Sequence, residues 1–133
     1  MKGVILDFDT IGPDELDTSI LLSLPISWQI YGNTSSNEVN ERIRYADVIL
    51  TNKVELSNKN IKQAVNLKLI GLFATGTNII DLEAAIDKNI CVSNAVAYCT
   101  DSVVQHVWAL ILALTTRIFD YSQAATDLSL IHI

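Results

Sequence analysis

The sequence predicts an α/β fold with a mainly parallel sheet, and three observations carry that prediction. Short apolar runs recur along the 133 residues, and amphipathic segments of helical spacing lie between them. Half of the residues are hydrophobic and 18% are charged, while two prolines and five glycines interrupt them, so the chain has the means to pack a core. Alternation of buried strand and crossover helix is the pattern of a parallel sheet.

The elements follow in order. Val4-Ile5-Leu6 is a first strand, ending in acids. Residues 28–31 form a second, weaker run closed by Gly32-Asn33, and residues 47–51 a third. Residues 67–73 and 90–92 complete a set of five, each short and β-branched enough to be a strand buried on both faces. Between them, residues 38–45 set Val39 and Ile43 against Glu41, Arg42 and Arg44. Residues 58–65 set Ile61, Ala64 and Val65 against Lys59, Lys62 and Gln63. Residues 81–87 repeat the pattern with Leu82, Ala85 and Ile86. The last helix, capped by Thr100-Asp101-Ser102, runs to about Phe119. Its apolar residues cover more than one face: Val103, Val107, Leu110, Ile111 and Leu114 form one stripe, and Val104, Trp108 and Leu112 lie on another. A helix of that kind needs a companion beyond the first hundred residues, in further chain or in a second subunit.

Charge and composition exclude several classes. Fifteen acidic residues against nine basic ones give −6, with no basic stripe for nucleic acid. The longest apolar run, residues 107–114, is far short of the roughly 20 residues of a membrane span. The N-terminal residues do not read as a signal peptide, and Cys91 and Cys99 read as reduced thiols. The expectation is a cytoplasmic protein bound neither to membrane nor to nucleic acid.

Among candidate sites, Asp7, Asp9, Asp14, Glu15 and Asp17 resemble a hard-cation cluster at a strand end. The spacing departs from the haloacid-dehalogenase and nucleoside-hydrolase patterns: Thr10 follows Asp9 directly, and Gly12 comes three residues after it. A solvated acidic loop that caps the next helix is the alternative, and no metal site is assigned. Gly76, within Ala74-Thr75-Gly76-Thr77-Asn78, follows a strand and precedes a helix. Its turn suits either an amide-lined anion site or plain corner geometry. No two of Gly3, Gly12, Gly32, Gly71 and Gly76 stand two apart, so the dinucleotide fingerprint GxGxxG is missing. His106 has no nearby nucleophile or carboxylate in sequence, His132 is incidental, and no GxSxG elbow activates a serine.

The segment from Leu67 to Arg117 carries a specific resemblance. Leu67-Lys68-Leu69-Ile70, Ala74-Thr75-Gly76-Thr77-Asn78, Asp81-Leu82-Glu83-Ala84-Ala85 and Ile90-Cys91-Val92-Ser93-Asn94 follow in a recognisable order. They are joined by Tyr98, Ser102-Val103-Val104-Gln105-His106-Val107 and Leu110-Ile111-Leu112-Ala113-Leu114, and earlier by Leu6-Asp7, Asp9-Thr10, Glu41-Arg42-Ile43 and residues 46–54. The chain resembles the N-terminal part of an NAD-dependent D-2-hydroxyacid dehydrogenase, nearest the glycerate dehydrogenase or hydroxypyruvate reductase branch, over residues 1 to about 123.

The resemblance implies a flavodoxin-like substrate-binding domain at residues 1–99, a linking and dimerisation helix at 100–120, and a truncated tail at 121–133. The nucleotide-binding Rossmann domain would lie outside this chain, together with the family's catalytic arginine, glutamate and histidine. Thr75 and Gly76 match the loop whose amides hold the substrate carboxylate, and Asn52, Lys53 and Val54 match a loop at the cleft edge. Thr75 and Val103 match positions that touch the cofactor. The implied activity is NAD(P)-dependent interconversion of a D-2-hydroxy acid and its 2-keto acid, of glycerate and hydroxypyruvate type, with hydride passing between nicotinamide and substrate carbon. The 133 residues alone are expected to lack that activity and to bind no NAD(H) or NADP(H). Their expected partners are the small hydroxy or keto acid and a second copy through the last helix. The alternative is a non-catalytic domain that binds a carboxylate or self-associates.

Overall fold

The structure is a computed structural model and describes residues 1–127. Its first compact unit spans Met1–Val96, and a second begins at Ala97. In the first unit five parallel strands form one sheet: β1 (Lys2–Ile5), β2 (Ser27–Ile30), β3 (Val48–Thr51), β4 (Leu69–Leu72) and β5 (Cys91–Ser93), in the order β2-β1-β3-β4-β5. Short helices connect them: α1 (Ser19–Leu22), α2 (Val39–Ile43), α3 (Asn58–Gln63) and α4 (Leu82–Asp87). Two 3₁₀ turns, Phe8–Ile11 and Pro13–Glu15, follow β1.

All five predicted strands are present, each at its apolar run. Side chains alternate across the pleat, so Val4, Leu6, Ile49, Ile70 and Leu72 share one buried cluster with Val39, Ile43, Ile61, Ala84 and Ala85 from α2, α3 and α4. That face is the main core. Ile5 and Val48, also buried, lie outside the cluster on the other face. There, neighbouring side chains fold across glycines: the Trp28 ring and Ile26 lie over Gly3, and Leu50 lies over Gly71. A β-carbon at either glycine would come within 2.6 Å of them.

Burial of every strand on both faces is corrected by the structure. Ser27, Gln29 and Ile30 of β2 are exposed, as are Cys91 and Ser93 of β5. Both are edge strands, and strand order is a long-range property that a local apolar run does not encode.

In the second unit, α5 (Thr100–Thr115) is followed by α6 (Ile118–Thr126) at an angle of 61°. The helix therefore stops before Phe119. Thr115 Oγ1 donates to the carbonyls of Ile111 and Leu112, Thr116 Oγ1 donates to Leu112 O at 2.6 Å, and Arg117 turns left-handed at φ 51°. Leu112 O still accepts from Thr116 N at 3.0 Å, and the ladder ends one residue later, where Arg117 N turns to Leu114 O at 3.3 Å in a tighter i to i−3 bond. Capping by Thr100-Asp101-Ser102 is also corrected. Cys99 occupies the N-cap position with no side-chain cap, and the three predicted residues lie inside the helix. Ala97, two residues before that cap position, is left-handed at φ 57°. Val103, Val107, Trp108, Leu110, Ile111 and Leu114 are exposed. No single helix among the described residues is long and apolar enough to cross a membrane. Of the segment 121–133 read as a tail, residues 121–126 belong to α6, while 128–133, His132 included, lie outside the described residues.

Candidate functional site

Parallel strands deliver all their C-terminal ends to one edge of the sheet, and the loops leaving that edge carry the candidate residues. β3 and β4 are neighbours, with Thr51 paired to Leu72, so the loops that follow them start side by side.

The acid at the end of β1 organises the β3 loop. Asp7 is 2% exposed, and its carboxylate accepts from Asn52 N at 2.9 and 3.1 Å and from Lys53 N at 2.6 Å. A buried carboxylate needs this kind of compensation. The Asn52 side chain donates to Thr10 Oγ1 at 3.0 Å, and Val54 N donates to Thr51 Oγ1 at 3.1 Å. The reading of the acids as a solvated loop is therefore corrected at Asp7, whose charge sits in the fold and holds backbone. Asp9, Asp14, Glu15 and Asp17 are exposed. Among the described residues no cluster of His, Cys, Asp and Glu is arranged to hold a metal ion.

This network assigns the β3-loop candidates distinct states. The backbone donors of Asn52, Lys53 and Val54 are all engaged inside the protein. Val54 is half-buried against the core. Lys53 keeps an exposed side chain at the rim of a cavity of about 320 Å³, lined also by Asp7, Thr10, Asn33, Thr34 and Val54. The ammonium of Lys53 is the group this loop has free for an anion.

The β4 loop is arranged differently. Thr75 and Gly76 are exposed, and neither N–H donates to an acceptor among the described residues. The loop is fastened on its other side. Asn94 Nδ2 donates to Thr75 O at 2.6 Å, Thr75 Oγ1 donates to Ala95 O at 2.9 Å, and Ala95 N donates to Ala74 O at 3.1 Å. Gly76 has no positive φ, and a β-carbon there would meet Asn78 Oδ1 at 2.8 Å. The helix that follows contributes no anion site, because Asp81 caps it by accepting from Ala84 N at 2.9 Å. Two free adjacent amides on a fastened loop can receive a carboxylate. Sequence reasoning missed Asp7 and Asn94 as parts of this edge. Asp7 stood inside a conspicuous acidic run, and for Asn94 the only signal was its position directly after a strand.

Comparison with known proteins gives the family. Residues 10–130 match the family described as D-isomer specific 2-hydroxyacid dehydrogenase, catalytic domain. The chain belongs to that family. It is 33% identical over 130 residues to a hydroxypyruvate reductase of Blautia hydrogenotrophica, covering 96% of this chain and 40% of that protein. It is 33% identical over 125 residues to a glycerate dehydrogenase of Methylorubrum extorquens, covering 92% and 38%. The fold matches an NAD-dependent formate dehydrogenase from Staphylococcus aureus, solved in complex with NAD, with a TM-score of 0.72 at 22% identity; the match covers 96% of this chain and 41% of that one. The chain thus spans about two-fifths of the length of these relatives.

The dinucleotide that the 2-hydroxyacid dehydrogenases use has no fitted site among the described residues. No glycine pair of the fingerprint spacing follows a strand, and the turn after β1 carries exposed Asp9 beside the buried Asp7, where a pyrophosphate requires free amides. Thr75 lies in the first unit, and Val103 is exposed on α5 in the second.

Proposed function

We propose that this chain is the substrate-binding domain of an NAD(P)-dependent D-2-hydroxyacid dehydrogenase of the glycerate or hydroxypyruvate type, and that its β4 loop holds the substrate carboxylate. The observation that carries this reading is the pair of free amides at Thr75 and Gly76, on a loop fastened from behind by Asn94 and Ala95. Membership of the 2-hydroxyacid dehydrogenase family and the two named relatives support the substrate class. In this reading Lys53 adds long-range attraction for the anion, while Asn52 and Val54 shape the cleft edge. The residues that exchange hydride and proton with the substrate are contributed by chain of the kind that makes up the remaining length of the relatives.

Titration of the ¹⁵N-labelled chain with D-glycerate tests the reading. The amide signals of Thr75 and Gly76 should move and saturate, and uncharged glycerol should leave them in place. Unmoved amides would remove the carboxylate assignment. With NADH and hydroxypyruvate the 133 residues alone should show no turnover, and turnover above background would contradict the division of labour. The second reading, a domain that binds a carboxylate or self-associates without catalysis, is favoured by the exposed apolar surface of α5. It predicts no gain of activity when the chain is extended by a nucleotide-binding domain.

A further inference from the structure

We infer that Asn94 is a positioning residue for the carboxylate site, and that it sets the direction of the Gly76 N–H. The inference rests on the reading of the β4 loop given under Proposed function. In a trans peptide the carbonyl and the following N–H point to opposite sides of the same plane, and no peptide in the described chain is cis. Asn94 Nδ2 donates to Thr75 O at 2.6 Å, so the plane joining Thr75 to Gly76 is fixed with its carbonyl toward the end of β5. The Gly76 N–H therefore points away from β5, toward the unpartnered side of the loop. The preceding plane is held the same way by backbone alone, since Ala95 N donates to Ala74 O at 3.1 Å. Two consecutive carbonyls turned to one side leave two consecutive N–H groups on the other, the arrangement that makes a small anion-binding concavity. Hydrogen bonding to the Thr75 carbonyl also polarises that peptide and strengthens its N–H as a donor.

The two planes differ in what holds them, and this gives the inference a signature of its own. The Thr75 hydroxyl, bonded to Ala95 O, anchors the residue between the planes, and of the two carbonyls only that of the Gly76 plane is held by a side chain. Asn94→Ala should release it and leave the Thr75 plane in place. Asn94 is half-buried outside the core cluster, so the sheet should survive the change.

The test is a D-glycerate titration of the wild-type chain and of Asn94→Ala, followed at individual amides. Loss of one net hydrogen bond's worth of organisation corresponds to about fivefold weaker binding. The Gly76 response should fall, the Thr75 response should persist, and the amides of Ile49 and Ile70 should keep their free-state positions. Asn94→Asp keeps the shape but sets a carboxylate against the Thr75 carbonyl, and it should bind at least as weakly as Asn94→Ala. That second variant decides the matter if the alanine chain does not fold. Wild-type affinity and an undiminished Gly76 response in both variants would overturn the inference alone. Absence of any Thr75 or Gly76 response in the wild-type chain would overturn the carboxylate reading and the inference with it.

Discussion

At the scale of single residues, Asp7 is the most consequential side chain in the first unit. Its buried carboxylate satisfies two backbone donors 45 and 46 residues away. Asp7→Ala strands both donors, and hydrogen bonds to a charged group are the strong kind. The expected loss is about 2–4 kcal/mol of unfolding free energy, read as a lower urea midpoint. A midpoint within experimental scatter of wild type would mean that water replaces the carboxylate. Surface acids act through pH instead. Ser35 holds the Glu38 carboxyl below the usual carboxylate range through its hydroxyl and its backbone N–H, with help from Arg42. The Lys2 backbone N–H does the same for Asp47, aided by the Lys68 ammonium. Both groups titrate lower in the folded chain than in the unfolded one. Their contribution is therefore present above the unfolded carboxylate pKa and is lost as pH falls through the folded values. Glu38→Gln should flatten the fall of the urea midpoint on the acid side of the ordinary carboxylate range, and an unchanged slope would count against this account. Asp7 was legible from the sequence only as one acid among five. Nothing in its local context separates a buried carboxylate from the solvated ones beside it.

At the scale of elements, the short helices of the first unit depend on their ends. α4 has six residues, too few to be stable by itself, and Asp81 supplies its N-cap. Asp81→Ala should cost about 1 kcal/mol by urea unfolding, while Asp81→Ser should recover most of it; equal values for the two variants would mean the cap is idle. The helix was legible in the sequence as the amphipathic segment 81–87, as were the apolar runs that became strands, but that segment takes Asp81 as its first residue and not as its cap. The break between α5 and α6 was less legible. Thr115-Thr116-Arg117 lies within a strongly apolar helical pattern, and periodicity gives no sign of the left-handed Arg117 that ends the ladder. The loop after β4 was legible as a glycine turn after a strand, and the loop after β3 only through the resemblance that picked out Asn52, Lys53 and Val54. Which carbonyl Asn94 would hold was not, because that contact links positions 19 residues apart.

At the scale of the whole molecule, the apolar surface of α5 sets the expected behaviour in solution. Leu110 and Leu114 are 51% and 74% exposed, on a helix whose neighbours are mostly apolar. The chain should sediment as a dimer at micromolar concentration, and Leu110→Asp with Leu114→Asp should shift it to monomer. A wild-type monomer with α5 helical by circular dichroism would remove that expectation. The strand order has a second consequence for the molecule. In a sheet ordered β2-β1-β3-β4-β5 the connections reverse direction between β1 and β3, and in folds of this order ligands settle in the crevice opened there. In this protein the crevice is already answered from within. Asp7 follows β1, reaches the two amides just past the end of β3, and engages both as an internal acceptor. An acid of the chain itself thus engages the amides at the mouth of that crevice, and the loop whose N–H groups stay without an internal acceptor is the next one along, after β4.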